Sequence, residues 1–378
     1  MKKKTYLLLL VLASSLILGG CGKDKDEKEE EISPAFADPV IQVVTDEKSE
    51  PEEVVQEVVV EEETREGMYR SELTNEWIDE SLRDQRPIAV MVDNEKTALP
   101  HYGVSEADIV YEMTNSVAND GVTRLMVLVK DWESITQLGS IRSVRPTNLM
   151  IAPEWNAVVC HDGGPYYIDA YLAKDYVDHF SGTFSRVNNG KAREFTEYIL
   201  PGDLDKNFDS SKVSRTYNDY YPGAHYIFAS ENNQVDLSSD AKSMNASSIQ
   251  LPFKHNKSRL DYNPDDGLYY YSEYGAKHTD PGNDNKQLSF KNLLLQKAQY
   301  MVYDDHGYMA FYAYGDKGTN QDGYYITNGK AIPVTWTKQD ELDITRYYDM
   351  NGDLITLNTG MTYIALVPDD IWSSLEID

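Results

Sequence analysis

Pro87-Ile-Ala-Val-Met-Val-Asp93 is a short apolar run that ends in a polar loop, the pattern of a buried strand. Three more runs of the same kind follow: Asp108-Ile-Val-Tyr-Glu-Met113, Thr123-Arg-Leu-Met-Val-Leu-Val-Lys130 and Ala157-Val-Val-Cys-His161. The Thr123 run carries apolar residues on both parities, as a strand covered on both faces requires. Between the runs, Thr147 to Trp155 and Tyr166 to Tyr176 read as helices, and Gly163-Gly164-Pro165 marks the entry to the second. Strands alternating with short helices predict a layered α/β sheet over residues 67–230.

Beyond residue 230 the pattern changes. Ser230 to Asn285 is polar and reads as loop-rich, and Leu288 to Leu295 is an apolar run that fits a strand or a helix. From Gln299 the periodicity is mostly two, with frequent turn signals. Asn328-Gly329 lies between Tyr324-Tyr-Ile-Thr327 and Ala331-Ile-Pro-Val-Thr-Trp336. Asn351-Gly352 lies between Arg346-Tyr-Tyr348 and Leu354-Ile-Thr-Leu357. Both predict hairpins, because this dipeptide accepts the left-handed backbone of a two-residue turn. Thr362-Tyr-Ile-Ala-Leu-Val367 closes the chain as a strand. Residues 231–378 therefore read as a mostly antiparallel β region, with an uncertain boundary and room for a core shared with the first.

Toward the other end, Met1-Lys-Lys-Lys4 is followed by an apolar run from Tyr6 to Leu18, which is too short to cross a bilayer and fits a signal peptide over residues 1–20. Leu18-Gly19-Gly20-Cys21 resembles the lipobox of bacterial lipoproteins. That resemblance implies cleavage before Cys21, acylation of its thiol, and a lipid anchor on the extracytoplasmic face of the cell membrane. Residues 22–66 hold 17 acidic and 5 basic side chains and few aromatics, so they bury too little surface to offset the entropy of ordering. Residues 21–66 thus read as the lipidated cysteine and an acidic tether spanning roughly 35–40 Å.

The whole chain carries a formal charge of −28. Such a surface has no evident means of neutralising phosphates along a nucleic acid, and it is repelled by anionic headgroups, so the acyl anchor must supply any membrane attachment. The second cysteine, Cys160, has no disulfide partner once Cys21 is acylated and reads as a buried core thiol. No Walker loop, dinucleotide fingerprint, His-Glu-x-x-His or Gly-x-Ser-x-Gly occurs, and the seven histidines show no ligand spacing. No metal or cofactor is expected. The 28 tyrosines include exposed-reading pairs such as Tyr166-Tyr167, whose rings can pack in a sheet or stack on sugars.

The densest polar segment is Gly139-Ser-Ile-Arg142-Ser-Val-Arg145-Pro146-Thr147-Asn148. Its two arginines, with Ser140, Ser143 and Thr147 at the mouth of a predicted helix, present forked donors suited to phosphate or carboxylate. Arg124 opens a strand, and Asp93, His161 and Asp162 close strands. Loops after strand ends gather at one edge of an open α/β sheet, so these six residues form the candidate ligand site. The competing reading is ordinary: arginines in an acidic protein commonly make surface ion pairs, Asp162 can cap a helix, and His161 can be a hydrogen-bonded core residue.

Taken together, Arg86-Pro-Ile-Ala-Val-Met-Val-Asp-Asn94, Ser105-Glu-Ala-Asp-Ile-Val-Tyr-Glu112, Gly121-Val-Thr-Arg124, Gly139-Ser-Ile-Arg-Ser-Val-Arg145 and His161-Asp-Gly-Gly164 resemble the YerB-like lipoproteins of Gram-positive bacteria. Gly329-Lys-Ala-Ile-Pro-Val-Thr-Trp-Thr-Lys338 and Asn358-Thr-Gly-Met-Thr-Tyr363 resemble the β-rich second domain of that family. The resemblance runs from about residue 70 to the end and implies a location and a fold, and no activity. Three functions stay open: a binding protein for an anionic or glycan ligand or an envelope partner, an envelope-glycan phosphotransferase, and a scaffold docking a membrane protein. The second rests on a likeness of Asp93, Arg124 and the Ser-Ile-Arg-Ser segment to the LytR–CpsA–Psr phosphotransferases of polyprenyl-linked glycans. With no nucleophile paired to a base, binding is favoured over catalysis.

Overall fold

The run at 87–93 is a strand, Ile88–Asp93 (β1), with all six residues buried. The computed structural model describes residues 64–378, so the signal peptide, Cys21 and nearly all of the tether lie outside the described residues. The first half of the chain adds Ile109–Thr114 (β2), Thr123–Val129 (β3), Val158–His161 (β4) and His179–Ser181 (β5). The second half adds Met244–Asn245 (β6), Asn292–Ala298 (β7), Gln321–Thr327 (β8), Lys330–Thr337 (β9), Arg346–Tyr348 (β10) and Thr362–Pro368 (β11).

These eleven strands make one sheet in the order β6-β9-β8-β7-β11-β2-β3-β1-β4-β5, with β10 also on β9. The two halves of the chain meet at its middle, where β11 lies between β7 and β2 and runs parallel to both. Ile364 is thus flanked by Leu294 on one side and Tyr111 on the other. A seam of continuous ladder hydrogen bonds leaves no linker between the halves, and the described residues fall within one compact unit.

Alternation along the strands sends side chains to two cores. Val90, Val92, Leu295 and Tyr363 face a second sheet and pack on its Ile249, Leu260, Tyr269 and Phe290. That sheet comprises Ser248–Gln250, Arg259–Asn263, Leu268–Glu273, Ala276–Lys277, Ser289–Phe290 and Glu376–Ile377. Met91, Met126, Leu294 and Ile364 face the other way, onto Leu149, Trp155 and Trp336. Each large apolar side chain buried in this way contributes roughly 1.5–3 kcal/mol.

The architecture is β-rich, and three expectations change accordingly. The helices predicted at 147–155 and 166–176 are too short to form a layer. The first is a six-residue helix, Pro146–Ile151 (α1), followed by a single 3-10 turn, and the second is a 3-10 turn leading into Asp169–Leu172. Pro153 falls inside the first segment, and proline removes the backbone donor a longer helix needs. The polar stretch at 230–285 holds four strands of the second sheet, because its Ile249, Leu260, Tyr269 and Tyr271 are few but all buried. Asn328-Gly329 turns β8 into β9 with both residues at positive φ, 50° and 73°. Asn351-Gly352 makes only a local turn with one bridge, Tyr348 to Leu354, since Thr356–Leu357 pairs in parallel with Ile227–Phe228 instead.

Candidate anion-binding cluster and a buried histidine–carboxylate cluster

β1 and β4 run parallel and pair only through Ile88 to Val90 and Val158 to Cys160. Past that point they part, and the segment from Ser140 to Val144 enters the gap. On one side the Asp93 N–H donates to Ser140 O (3.0 Å) and the Arg142 N–H to Met91 O (2.8 Å). On the other, the Asp162 N–H donates to Arg142 O (3.0 Å) and the Val144 N–H to Gly163 O (3.1 Å). The crevice that an α/β sheet would leave open is therefore filled by the chain itself. Gly139 lets it enter: its φ is +146°, and a Cβ there would stand 3.0 Å from both Glu197 O and Ile141 N.

The wedge carries Arg142 to Asp93, with Nε donating to Oδ2 at 2.8 Å, while Nη2 reaches the exposed Glu194 at 2.6 Å. Antiparallel pairing of β1 with β3 sets Arg124 directly opposite Asp93. Its Nη2 lies 3.9 Å from Asp93 Oδ1 and its Nη1 donates to Ser143 O at 2.7 Å. Arg145 follows the wedge, donates to Val144 O (3.0 Å) and sits 3.9 Å above the Tyr308 ring. Among the described residues no carboxylate pairs with Arg145. Burial and the neighbouring arginines lower the pKa of both Arg124 and Arg145. Guanidinium keeps its proton in proteins, so the shift expresses a free-energy cost of confining like charges. The Nε atoms of Arg124 and Arg145 are buried without acceptors.

The other predicted residues point elsewhere. His161 is buried, with Nδ1 2.8 Å from Gly163 O and Nε2 3.1 Å from His179 Nδ1, and burial lowers its pKa to about 4. Asp162 is held by Arg186 at 2.7 Å, and Arg186 also grips Glu197. Burial, and then the hydrogen bond with Asp162, raise Glu197 to about 7. The predicted helix mouth is also taken: Asn148 Oδ1 accepts the Arg145 N–H (2.9 Å), and Thr147 Oγ1 accepts the Phe311 N–H (2.8 Å). The structure thus brings Asp93, Arg124, Arg142 and Arg145 together, and leaves His161 and Asp162 in contacts of their own. Cys160, on β4 beside them, is fully buried, and burial pushes its thiol pKa up. A cavity of about 200 Å³ lies elsewhere, among Thr114, Phe253, Met309 and Ile371, and none of the six residues lines it.

A second polar cluster, absent from the sequence reading, lies between the two sheets. Glu112 of β2 accepts hydrogen bonds from Thr123 Oγ1 (2.7 Å), Ser258 Oγ (2.6 Å), Tyr271 OH (3.0 Å) and Tyr363 OH (2.6 Å). Beside it, one ring nitrogen each from His101 and His278 and a carboxylate oxygen of Glu273 lie within 4.8 Å of one another, all three residues buried. The grouping has no counterpart in sequence spacing, because 177 positions separate His101 from His278 along the chain. The one legible signal was Glu112, an acid inside an apolar run. Burial lowers both histidines to about 4 and raises Glu273 to about 7, so both rings are neutral at pH 7.

Two family profiles match the chain. One, described as Protein of unknown function (DUF3048) N-terminal domain, covers residues 73–214, and its C-terminal counterpart covers 249–364. Together they span more than half of the chain. The chain belongs to the DUF3048 family. It is 25% identical over 313 residues to a Bacillus subtilis (strain 168) protein named "Putative lipoprotein YerB", covering 79% of this chain and 86% of that protein. The crystal structure of YerB protein from Bacillus subtilis superposes with a TM-score of 0.68 at 18% identity, over 82% of this chain and 99% of the other, and shows the same fold. In DUF3048 terms the arginine cluster belongs wholly to the N-terminal domain. The His101–Glu273–His278 cluster takes residues from both domains.

Proposed function

We propose that this DUF3048 protein is an extracytoplasmic lipoprotein, anchored through Cys21, that binds an anionic group of an envelope glycan at Arg124, Arg142 and Arg145. The observation that carries the reading is the charge imbalance there. Two guanidinium groups, Arg124 and Arg142, share one buried carboxylate, Asp93, and the exposed Glu194 takes part of Arg142; Arg145 beside them contacts a backbone carbonyl and an aromatic face, with Asp304 acting on it only at longer range. A buried cation with no carboxylate in direct contact is costly, and a phosphate or carboxylate from outside offsets that cost. Arg142, with about a quarter of its side chain exposed, gives the approach.

A sugar ring beside the anion suits the surroundings. Tyr167 stacks on Tyr303 at 4.5 Å, and Tyr166, largely exposed, packs edge-on against Tyr167. The anchor is supported by the lipobox at Cys21 and by the name of the Bacillus subtilis relative. Binding is favoured over phosphoryl transfer because both oxygens of Asp93 face arginines, which leaves it a poor base or metal ligand.

The test is the melting temperature of the full chain with inorganic pyrophosphate and, separately, with a short-chain polyprenyl pyrophosphate. At about 100 times its Kd a ligand stabilises by roughly 2.7 kcal/mol. A rise in the parent chain that is lost in Arg145→Ala supports the site. No rise with either ligand, or an equal rise in a folded Arg145→Ala variant, sinks it and redirects the search to a protein partner.

A further inference from the structure

We infer that His101, Glu273 and His278 form a binding site for a divalent transition-metal ion, with zinc the best fit, set between the two sheets. The residues are of the right kind: two imidazoles and one carboxylate are a common three-ligand set for zinc, which leaves one position for a further ligand. Their ligand atoms already lie within 4.8 Å of one another, and drawing in to the roughly 3.3 Å separation implied by metal–ligand bonds of about 2.0–2.1 Å in a tetrahedral set needs only side-chain movement.

The hydrogen bonding around the cluster is the second, independent observation. His101 Nε2 lies 2.6 Å from the Asp93 carbonyl oxygen, which can only accept, so Nε2 carries the hydrogen and Nδ1 is left with a lone pair. That Nδ1 is buried and has no partner. A metal-binding histidine is commonly held in this way, with one ring nitrogen donating to a backbone carbonyl and the other free to ligate. His278 differs: its Nδ1 lies 3.0 Å from Glu273 Oε1, close to a ligand–ligand separation, so an ion bound by both would stand in place of the hydrogen between them. A lone pair buried without a donor, as at His101 Nδ1, is costly, and a cation between the two rings would satisfy it.

The surroundings are those of a supported site. Asn256 Nδ2 approaches the second oxygen of Glu273 (3.4 Å) while bonding Asn94 O (2.6 Å), which steadies the carboxylate against β1. The Asn94 side-chain oxygen is also buried and unpartnered. No lysine or arginine pairs with Glu273 among the described residues, so its charge is answered by the histidines and by neutral donors, Asn256, Asn94 and Tyr271. Because His101 comes from the N-terminal family domain and Glu273 and His278 from the C-terminal one, an ion there would cross-link the two sheets. The inference is independent of the anion-binding reading, as the residues are different.

The experiment is metal binding by the purified full chain after exhaustive treatment with EDTA. Zinc is supplied alone, with a chelator of known affinity as competitor so that weak binding by surface carboxylates is removed. One tightly held equivalent is expected in the parent chain, and its affinity should fall at least a hundredfold in His101→Gln and in His278→Gln. X-ray absorption at the zinc edge should report two imidazoles and a carboxylate oxygen, a readout that stands even if the variants fold poorly. No equivalent surviving the chelator, unchanged affinity in folded variants, or a coordination shell without imidazole would each overturn the proposal.

Discussion

The two polar clusters of this molecule sit on opposite sides of one residue. Asp93 offers its carboxylate to the arginines and its carbonyl to His101, so both clusters hang from the end of β1. They differ in how complete they are. The Glu112 carboxylate is fully met by hydroxyl groups drawn from distant parts of the chain, and the atoms left over on that side are His101 Nδ1, His278 Nε2 and the Asn94 side-chain oxygen, beside it. Around Asp93 the donors outnumber the acceptors, and two guanidinium nitrogens are left over. A polar group whose partners are internal supports the fold. One whose partners are missing points outward, to a ligand.

The sharpest way to break this contrast is to remove Glu112. Four hydroxyl groups would lose their acceptor in a space closed to water, and each such loss costs about 1 kcal/mol or more. Glu112→Ala should therefore destabilise the chain by about 4 kcal/mol, and Glu112→Gln, which keeps one acceptor oxygen, by roughly half as much. Urea unfolding at neutral pH measures both. A loss below about 1 kcal/mol in the alanine variant would show that the hydroxyls find other partners and that the network is not what joins the sheets.

The same contrast explains what the sequence made legible. The arginine cluster is largely local: Arg142 and Arg145 share one segment, and Arg124 faces Asp93 across a hairpin-like pair of strands, so strand ends and a polar motif were enough to gather them. His161 and Asp162 share that neighbourhood in sequence, yet their side chains turn to His179 and Arg186, partners that no local pattern announces. The buried cluster is non-local. Ser258, Tyr271 and His278 reach Glu112 and His101 only because the second sheet folds over the first, and Tyr363 only because β11 inserts beside β2. Strand positions in the larger sheet were readable from apolar runs such as 87–93 and 123–130. The parallel insertion of β11 between β7 and β2 was not, since nothing in residues 362–367 says which strands lie alongside. The apparent loops at 230–285 misled for a related reason: strands of a small sheet with one covered face bury about every second residue and leave the remainder polar.

A smaller effect tests the arginine side through pH. Burial pushes the pKa of His161, almost fully enclosed on β4, down to about 4 from the ordinary 6.5. Folding therefore disfavours its proton. Its effect is absent above about pH 6.5, where both states are neutral, and stability is lost as pH falls from there toward 4 because the unfolded chain binds the proton first. The loss attributable to His161 should reach about 2–3 kcal/mol near pH 4. Unfolding free energies at pH 7.5, 6 and 5 should fall more steeply in the parent chain than in His161→Gln. Parallel curves would mean that the ring is protonated in place, with His179 turning to accept.

The smallest effect should come from the residue on which the functional reading most depends. Arg142→Ala leaves the buried Asp93 with Arg124 at 3.9 Å as its nearest cation and should cost about 2–3 kcal/mol, below the 3–5 typical of a fully buried pair because Arg142 is partly exposed. Arg145→Ala breaks no ion pair. It loses one hydrogen bond to Val144 O and the face of Tyr308, worth about 1–2 kcal/mol together, and it relieves repulsion with Arg124 and Arg142. The net change should stay within about 1 kcal/mol of zero, and added pyrophosphate should no longer stabilise the variant. A large loss of stability without any ligand would place Arg145 among the residues that hold the fold. The excess positive charge would then be a structural feature with internal compensation, and the contrast between the two clusters would disappear.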